Sequence, residues 1–121
     1  MTQTDMVNHP PHYNAYSIEV IEVTRHCSFD IGNAIKYMLR HLHKGTSQQD
    51  LEKALWYIDD YMSMTQGREA LVPNPLAKKK LYTLIKEYRA QDKAILEVAE
   101  SLRWIALENL PEAQKSLAMV L

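Results

Sequence analysis

A chain of 121 residues that is 46% apolar can bury one core, which excludes wholesale disorder and two full domains. Three glycines and five prolines beside abundant Leu, Ala, Glu, Lys and Met point to an all-α fold. A net charge of −1 excludes a general polyanion binder, although the balance is uneven: residues 1–62 carry 5 basic and 8 acidic side chains, residues 63–121 carry 9 and 7.

Residues 1–15 read as a polar arm. Pro10-Pro11 forbids a helix there and sets a stiff, extended strip bearing His9, His12 and Tyr13. Ser17 is placed to cap a first helix over 18–27, with Ile18, Val20 or Val23, and Ile21 on its apolar side. Ser28 or Asp30 restarts the chain into a second helix, which Gly45 stops. On that helix Asn33, Lys36, Tyr37, Arg40 and Lys44 share one stripe, while Ala34, Ile35, Met38, Leu39 and Leu42 fall opposite. Three cations, an amide and a phenol on one ridge suit a phosphorylated ligand. An ordinary solvated face has the same composition.

Ser47 and Asp50 signal a third helix from Gln48 to about Thr65, cored by Leu51, Leu55, Ile58 and Met62 with Ala54 and Tyr61. Trp56 lies off that stripe, as a rim residue or as an interface or base-stacking platform. Residues 66–74 break the chain, which divides it into an arm (1–15), a helical module (16–65) and a C-terminal helical hairpin (66–121). Asn74-Pro75 opens a fourth helix to about Arg89, carrying Leu76, Leu81, Leu84, Ile85 and Tyr88. Lys78-Lys79-Lys80 at its start reads as solvated. Asp92 is expected to cap a fifth helix with Ile95, Ala99, Leu102 and Ala106, and a last short helix starts at Pro111. So small a module with an off-stripe Trp56 predicts a homo-oligomer.

Chemical motifs are few. The chain has no glycine-rich phosphate loop, dinucleotide fingerprint, nucleophile elbow or paired CxxC, so a phosphate would be held by side chains and helix N-termini. The five histidines do not share a metal-binding spacing, and no resident metal site is expected. Cys27 excludes an internal disulfide and reads as an incidental thiol in a reducing compartment. No apolar run approaches a membrane span and the start lacks a signal-peptide core, so a cytoplasmic protein without membrane attachment is expected. Glu19 and Glu22 share a face, and with Asp59-Asp60 they leave open a Mg²⁺-dependent, MazG-like pyrophosphatase. No strong nucleic-acid signal is present.

Taken together, His9-Pro10-Pro11-His12-Tyr13, Ile18-Glu19-Val20-Ile21, Gly32-Asn33-Ala34-Ile35-Lys36-Tyr37 with Arg40 and Lys44-Gly45, and Asp50-Leu51-Glu52-Lys53-Ala54-Leu55-Trp56-Tyr57 resemble a small phage family. It is the SaV-like family of unknown function, and the same block is similar to the core of a short phage nucleotide kinase that lacks a Walker loop. The likeness spans about residues 9–62, with Ser17 standing where the family usually has glycine. It implies a phage or prophage protein of the infected bacterial cytoplasm that binds a nucleotide and passes phosphate to deoxynucleoside monophosphates. By position, Lys36, Arg40 and His12 would be catalytic. His9, Tyr13, Glu19, Asn33, Tyr37, Lys44, Lys53, Trp56 and Tyr57 would bind substrate. A nucleoside triphosphate would be the donor, with Mg²⁺ as an accompanying ion. The alternative from another class is a non-enzymatic helical binder that sequesters a host nucleotide signal or a host protein.

Overall fold

The computed structural model describes residues 15–43, 45–64 and 70–121. Among these residues every regular element is helical: α1 (Ile21–Thr24), α2 (Phe29–Arg40), α3 (Ser47–Met64), α4 (Pro75–Arg89), α5 (Leu96–Ala106) and α6 (Leu110–Ala118). Several boundaries follow from local capping. The Ser28 hydroxyl accepts the Ile31 N–H at 3.2 Å, so Ser28 and not Asp30 starts α2. Asn74 accepts from Ala77 with Pro75 in the first turn of α4, and Asn109 accepts from Glu112 with Pro111 in the first turn of α6. Helix α2 ends at Arg40, earlier than the stop expected at Gly45, which instead takes a left-handed φ of +69° in the turn between α2 and α3.

Two expected caps are not caps. The Ser17 hydroxyl and N–H both bond Glu87 of α4, and α1 begins instead after Val20 as a single turn. Asp92 lies in the turn before α5, whose N-cap residue, Ile95, makes no side-chain cap and donates its N–H to the Tyr88 hydroxyl at 3.0 Å. In both cases a side chain of α4, Glu87 or Tyr88, takes the hydrogen bond that the local signal would have made.

Helices α2 and α3 pack antiparallel: Asp30 meets Asp60, Tyr37 meets Tyr57 and Lys53, and Arg40 meets Asp50. Helix α5 pairs with α6 and with α4; α4 also packs on α1, and α6 on α3. Fully buried Ile35, Met38 and Leu39 of α2, Ile58 of α3, Leu81, Leu84 and Tyr88 of α4, Leu102 and Ile105 of α5 and Leu117 of α6 form one apolar cluster. Burying each such Leu or Ile contributes about 1.5–3 kcal/mol.

The C-terminal half is thus three helices folded back on the first half. Its Leu76, expected in the core, is 59% exposed, and Leu71 and Val72 from the interhelical break are buried instead. Two of the three consecutive lysines are not simply solvated: Lys78 pairs with Glu108 at 3.0 Å and Lys80 with Glu22 at 2.8 Å.

Candidate functional site

The antiparallel register of α2 and α3 builds a seam in which like chemistry clusters. At its centre the Tyr37 and Tyr57 rings stack with planes 8° apart and centroids at 6.0 Å. Phe29 and Trp56 meet Tyr57 edge-on at 5.8 and 5.3 Å. Phe29 is 75% exposed and Trp56 60%, so the aromatic surface opens to solvent. Around Tyr37 stand three cations: Lys36 Nζ at 4.7 Å from the ring centroid, the Arg40 guanidinium at 4.6 Å and Lys53 Nζ at 5.3 Å. Asp50, almost fully buried, pairs with Arg40 at 3.4 Å. Lys36 and Lys53 have no ion-pair partner among the described residues.

Those four side chains leave an excess of two positive charges around one phenol. Like charges so placed repel one another, and an anion docking between them would relieve that repulsion. The other end of the seam, about 15 Å along α2, is acidic. There the Asp30 carboxyl hydrogen-bonds Asp60. Burial, then that hydrogen bond and the charge of Asp60, raise the Asp30 pKa above the usual aspartate range. The seam is therefore polarised, with cations at the α3 N-terminal end and a carboxyl pair at the other.

Beside the seam lies an open groove of about 340 Å³ between α1 and α2. Its lining includes Ile21, Arg25, Ser28, Phe29, Asn33 and Lys36. Gly32 in its wall permits the close approach of the two helices: a Cβ there would meet the Thr24 carbonyl oxygen at 3.1 Å. Cys27 also lines the groove; burial pushes its thiol up to about 11, and it donates to the Val23 carbonyl, which makes it a poor nucleophile.

Of the residues predicted from sequence, Lys36, Tyr37, Arg40, Lys53, Trp56 and Tyr57 come together at the seam. Asn33 joins the groove wall, and its amide donates to the Phe29 carbonyl at 2.8 Å. Glu19 is half-buried in the turn before α1, and its N–H donates to Glu22. The Glu22 carboxylate is held below its usual range by the Lys80 hydrogen bond and then the Glu19 N–H. His9, His12, Tyr13 and Lys44 lie outside the described residues. Among the described residues no three His, Cys, Asp or Glu side chains gather as metal ligands.

Three features escape a single-sequence reading. Phe29 sits two turns before Tyr37, so the 3.6 period could have marked it for the same face. Asp50 is buried beside Arg40, which belongs to the neighbouring helix. His41, which follows Ala34 and Met38 at core spacing, is fully buried between Ser47 Oγ and Tyr88 Oη, each 2.7 Å from a ring nitrogen.

Comparison with known proteins adds a coarse frame. No curated protein and no solved structure matches this chain. Among the described residues no helix is long and apolar enough to cross a membrane. Residues 7–59, a span that includes α1, α2, the groove and most of the seam, match a family model described as a protein of unknown function, DUF3310.

Proposed function

We propose that the α2–α3 seam binds a nucleotide, with phosphates on Lys36, Arg40 and Lys53 and the base against Tyr57 and Trp56. The observation that carries this reading is the convergence of three cations on the Tyr37 ring beside an exposed aromatic edge. Arg40 presents a planar fork to phosphate oxygens, and the lysines supply mobile point charges. Aromatic faces accept any base by stacking.

The resemblance to a short phage nucleotide kinase supports, as the reaction of this reading, phosphoryl transfer from a nucleoside triphosphate to a deoxynucleoside monophosphate. The bond from the γ-phosphorus to its bridging oxygen would break as an acceptor phosphate oxygen bonds that phosphorus, leaving two nucleoside diphosphates. Such transfer asks chiefly for positioning and charge neutralisation, which the three cations provide. In this reading the protein acts in an infected bacterial cytoplasm, as a homo-oligomer, with Mg²⁺ accompanying the donor. The same geometry serves the rival, a binder that sequesters a nucleotide and returns it unchanged.

A thermal-shift screen over nucleoside mono-, di- and triphosphates tests the binding. A ligand at 100 times its Kd stabilises the fold by about 2.7 kcal/mol. Arg40→Ala and Lys53→Ala should abolish that gain; no stabilisation by any nucleotide overturns the reading. Product analysis after incubation with a triphosphate and a monophosphate separates kinase from binder.

A further inference from the structure

The polar ridge of α2 stands between the seam and the α1–α2 groove. Phe29 contacts Tyr57 on the seam side and lines the α1–α2 groove on the other. Lys36 stands over Tyr37 and also lines that groove. The nine groove-lining residues include two cations, Arg25 and Lys36, and no carboxylate, so the recess favours an anion. Ile21 and Phe29, 51% and 75% exposed, offer apolar surface for a flat ring. Thr24, Ser28 and Asn33 supply hydroxyl and amide groups able to meet sugar hydroxyls. A volume of about 340 Å³ sits at the small end of ligand sites, the size for one nucleotide and not for two.

We infer that the α1–α2 groove is a second subsite, for a nucleoside monophosphate, whose phosphate shares Lys36 with the ligand of the seam. This inference rests on the nucleotide-binding reading of the seam and goes beyond it by giving the second nucleotide a place, on the opposite flank of α2. A shared lysine would bring the two phosphate groups together, as transfer between them requires.

Equilibrium dialysis of the full chain tests it, with the imido analogue of ATP as the seam probe and the four deoxynucleoside monophosphates as groove probes. At saturating imido analogue, one monophosphate should still bind, giving two nucleotides per chain. Arg25→Glu should weaken the monophosphate at least tenfold and leave the imido analogue within twofold, while Arg25→Lys should restore most of the loss. Arg25 is exposed and its Nε bonds only the Ile21 carbonyl of its own helix, so these variants should fold; circular dichroism checks that they do. If monophosphate and imido analogue displace each other at one site per chain, the groove inference fails and the seam reading survives. Monophosphate binding indifferent to Arg25→Glu also overturns the groove inference. Binding of neither probe overturns both.

Discussion

The Tyr88 hydroxyl lies 2.7 Å from Nε2 of His41, and the imidazole is wholly buried. That hydroxyl accepts the Ile95 N–H at 3.0 Å, and its own proton is paired when it is donated to His41 Nε2. The arrangement that leaves no buried donor unpaired then puts the imidazole proton on Nδ1, donating to Ser47 Oγ. One relay thus joins the end of α2, the start of α3, α4 and the start of α5. Tyr88→Phe leaves an imidazole nitrogen and the Ile95 N–H without partners and should cost about 1–3 kcal/mol by urea denaturation. Nitrogen-15 chemical shifts should report a neutral His41 protonated at Nδ1; a proton on Nε2 would contradict the relay.

The same histidine gives the fold an acid limb. Burial lowers the His41 pKa from its ordinary 6.5 to about 4, so between these values the unfolded chain takes up the extra proton. The contribution is complete above pH 6.5 and drains away as pH falls toward 4, by roughly 1–3 kcal/mol. Asp30 works the other way. Its raised pKa lets the folded state bind a proton first, so its contribution is complete at the ordinary aspartate value of 3.8 and is lost as pH rises toward neutrality. The two partly cancel in mildly acid solution. Asp30→Asn should therefore raise the Tm at pH 7–8 and expose a steeper loss on acidification. Parallel wild-type and variant curves from pH 4 to 8 would contradict this account.

Glu108 is a non-glycine residue at φ 64°, kept there by what its carboxylate holds. Burial disfavours its charge, but the Leu71 N–H, the Lys78 ammonium and the Val72 N–H outweigh that and keep its pKa below the usual range. Glu108→Ala should destabilise by about 1–3 kcal/mol, since two backbone donors beside buried Leu71 and Val72 lose their acceptor. Glu108→Gly relaxes the backbone and should recover about 1 kcal/mol of that. Chemical denaturation of both variants decides; equal stability would mean the left-handed conformation carries no strain.

Trp56 separates binding from folding. At 60% exposure its replacement by Ala should change stability by no more than about 0.5 kcal/mol. If the base stacks there, nucleotide affinity should fall by about 1–3 kcal/mol in a calorimetric titration. Unchanged affinity would remove Trp56 from the site and leave the cations as its whole substance.

Sequence reading succeeded where a structure is decided by neighbours a few residues away. Ser28 and Asn74-Pro75 do what their local chemistry demands, and the ridge of Asn33, Lys36, Tyr37 and Arg40 follows from periodicity alone, whereas α2 stops at Arg40, before the glycine expected to end it. It failed where a distant group intervenes. Glu87 captures Ser17 from 70 positions away, and Tyr88 captures the Ile95 N–H ahead of Asp92. For the site, Lys36, Tyr37 and Arg40 were legible as a ridge. Their meeting with Lys53, Tyr57 and Trp56 depends on the antiparallel register, which no period of a single helix encodes. Lys78 and Lys80 looked solvated because their partners, Glu108 and Glu22, lie on other elements.

The segment matched by the family model stops short of the residues that hold it in shape. Tyr16 gives its proton to the Leu39 carbonyl within that segment, but Ser17, Glu22 and His41 all reach outward, to Glu87, Lys80 and Tyr88 of α4. Cut away from α4, the segment would uncover the face of α1 that packs there and lose the partners of these three side chains at once. Any use of the ridge as a portable recognition element must therefore carry the later helices with it.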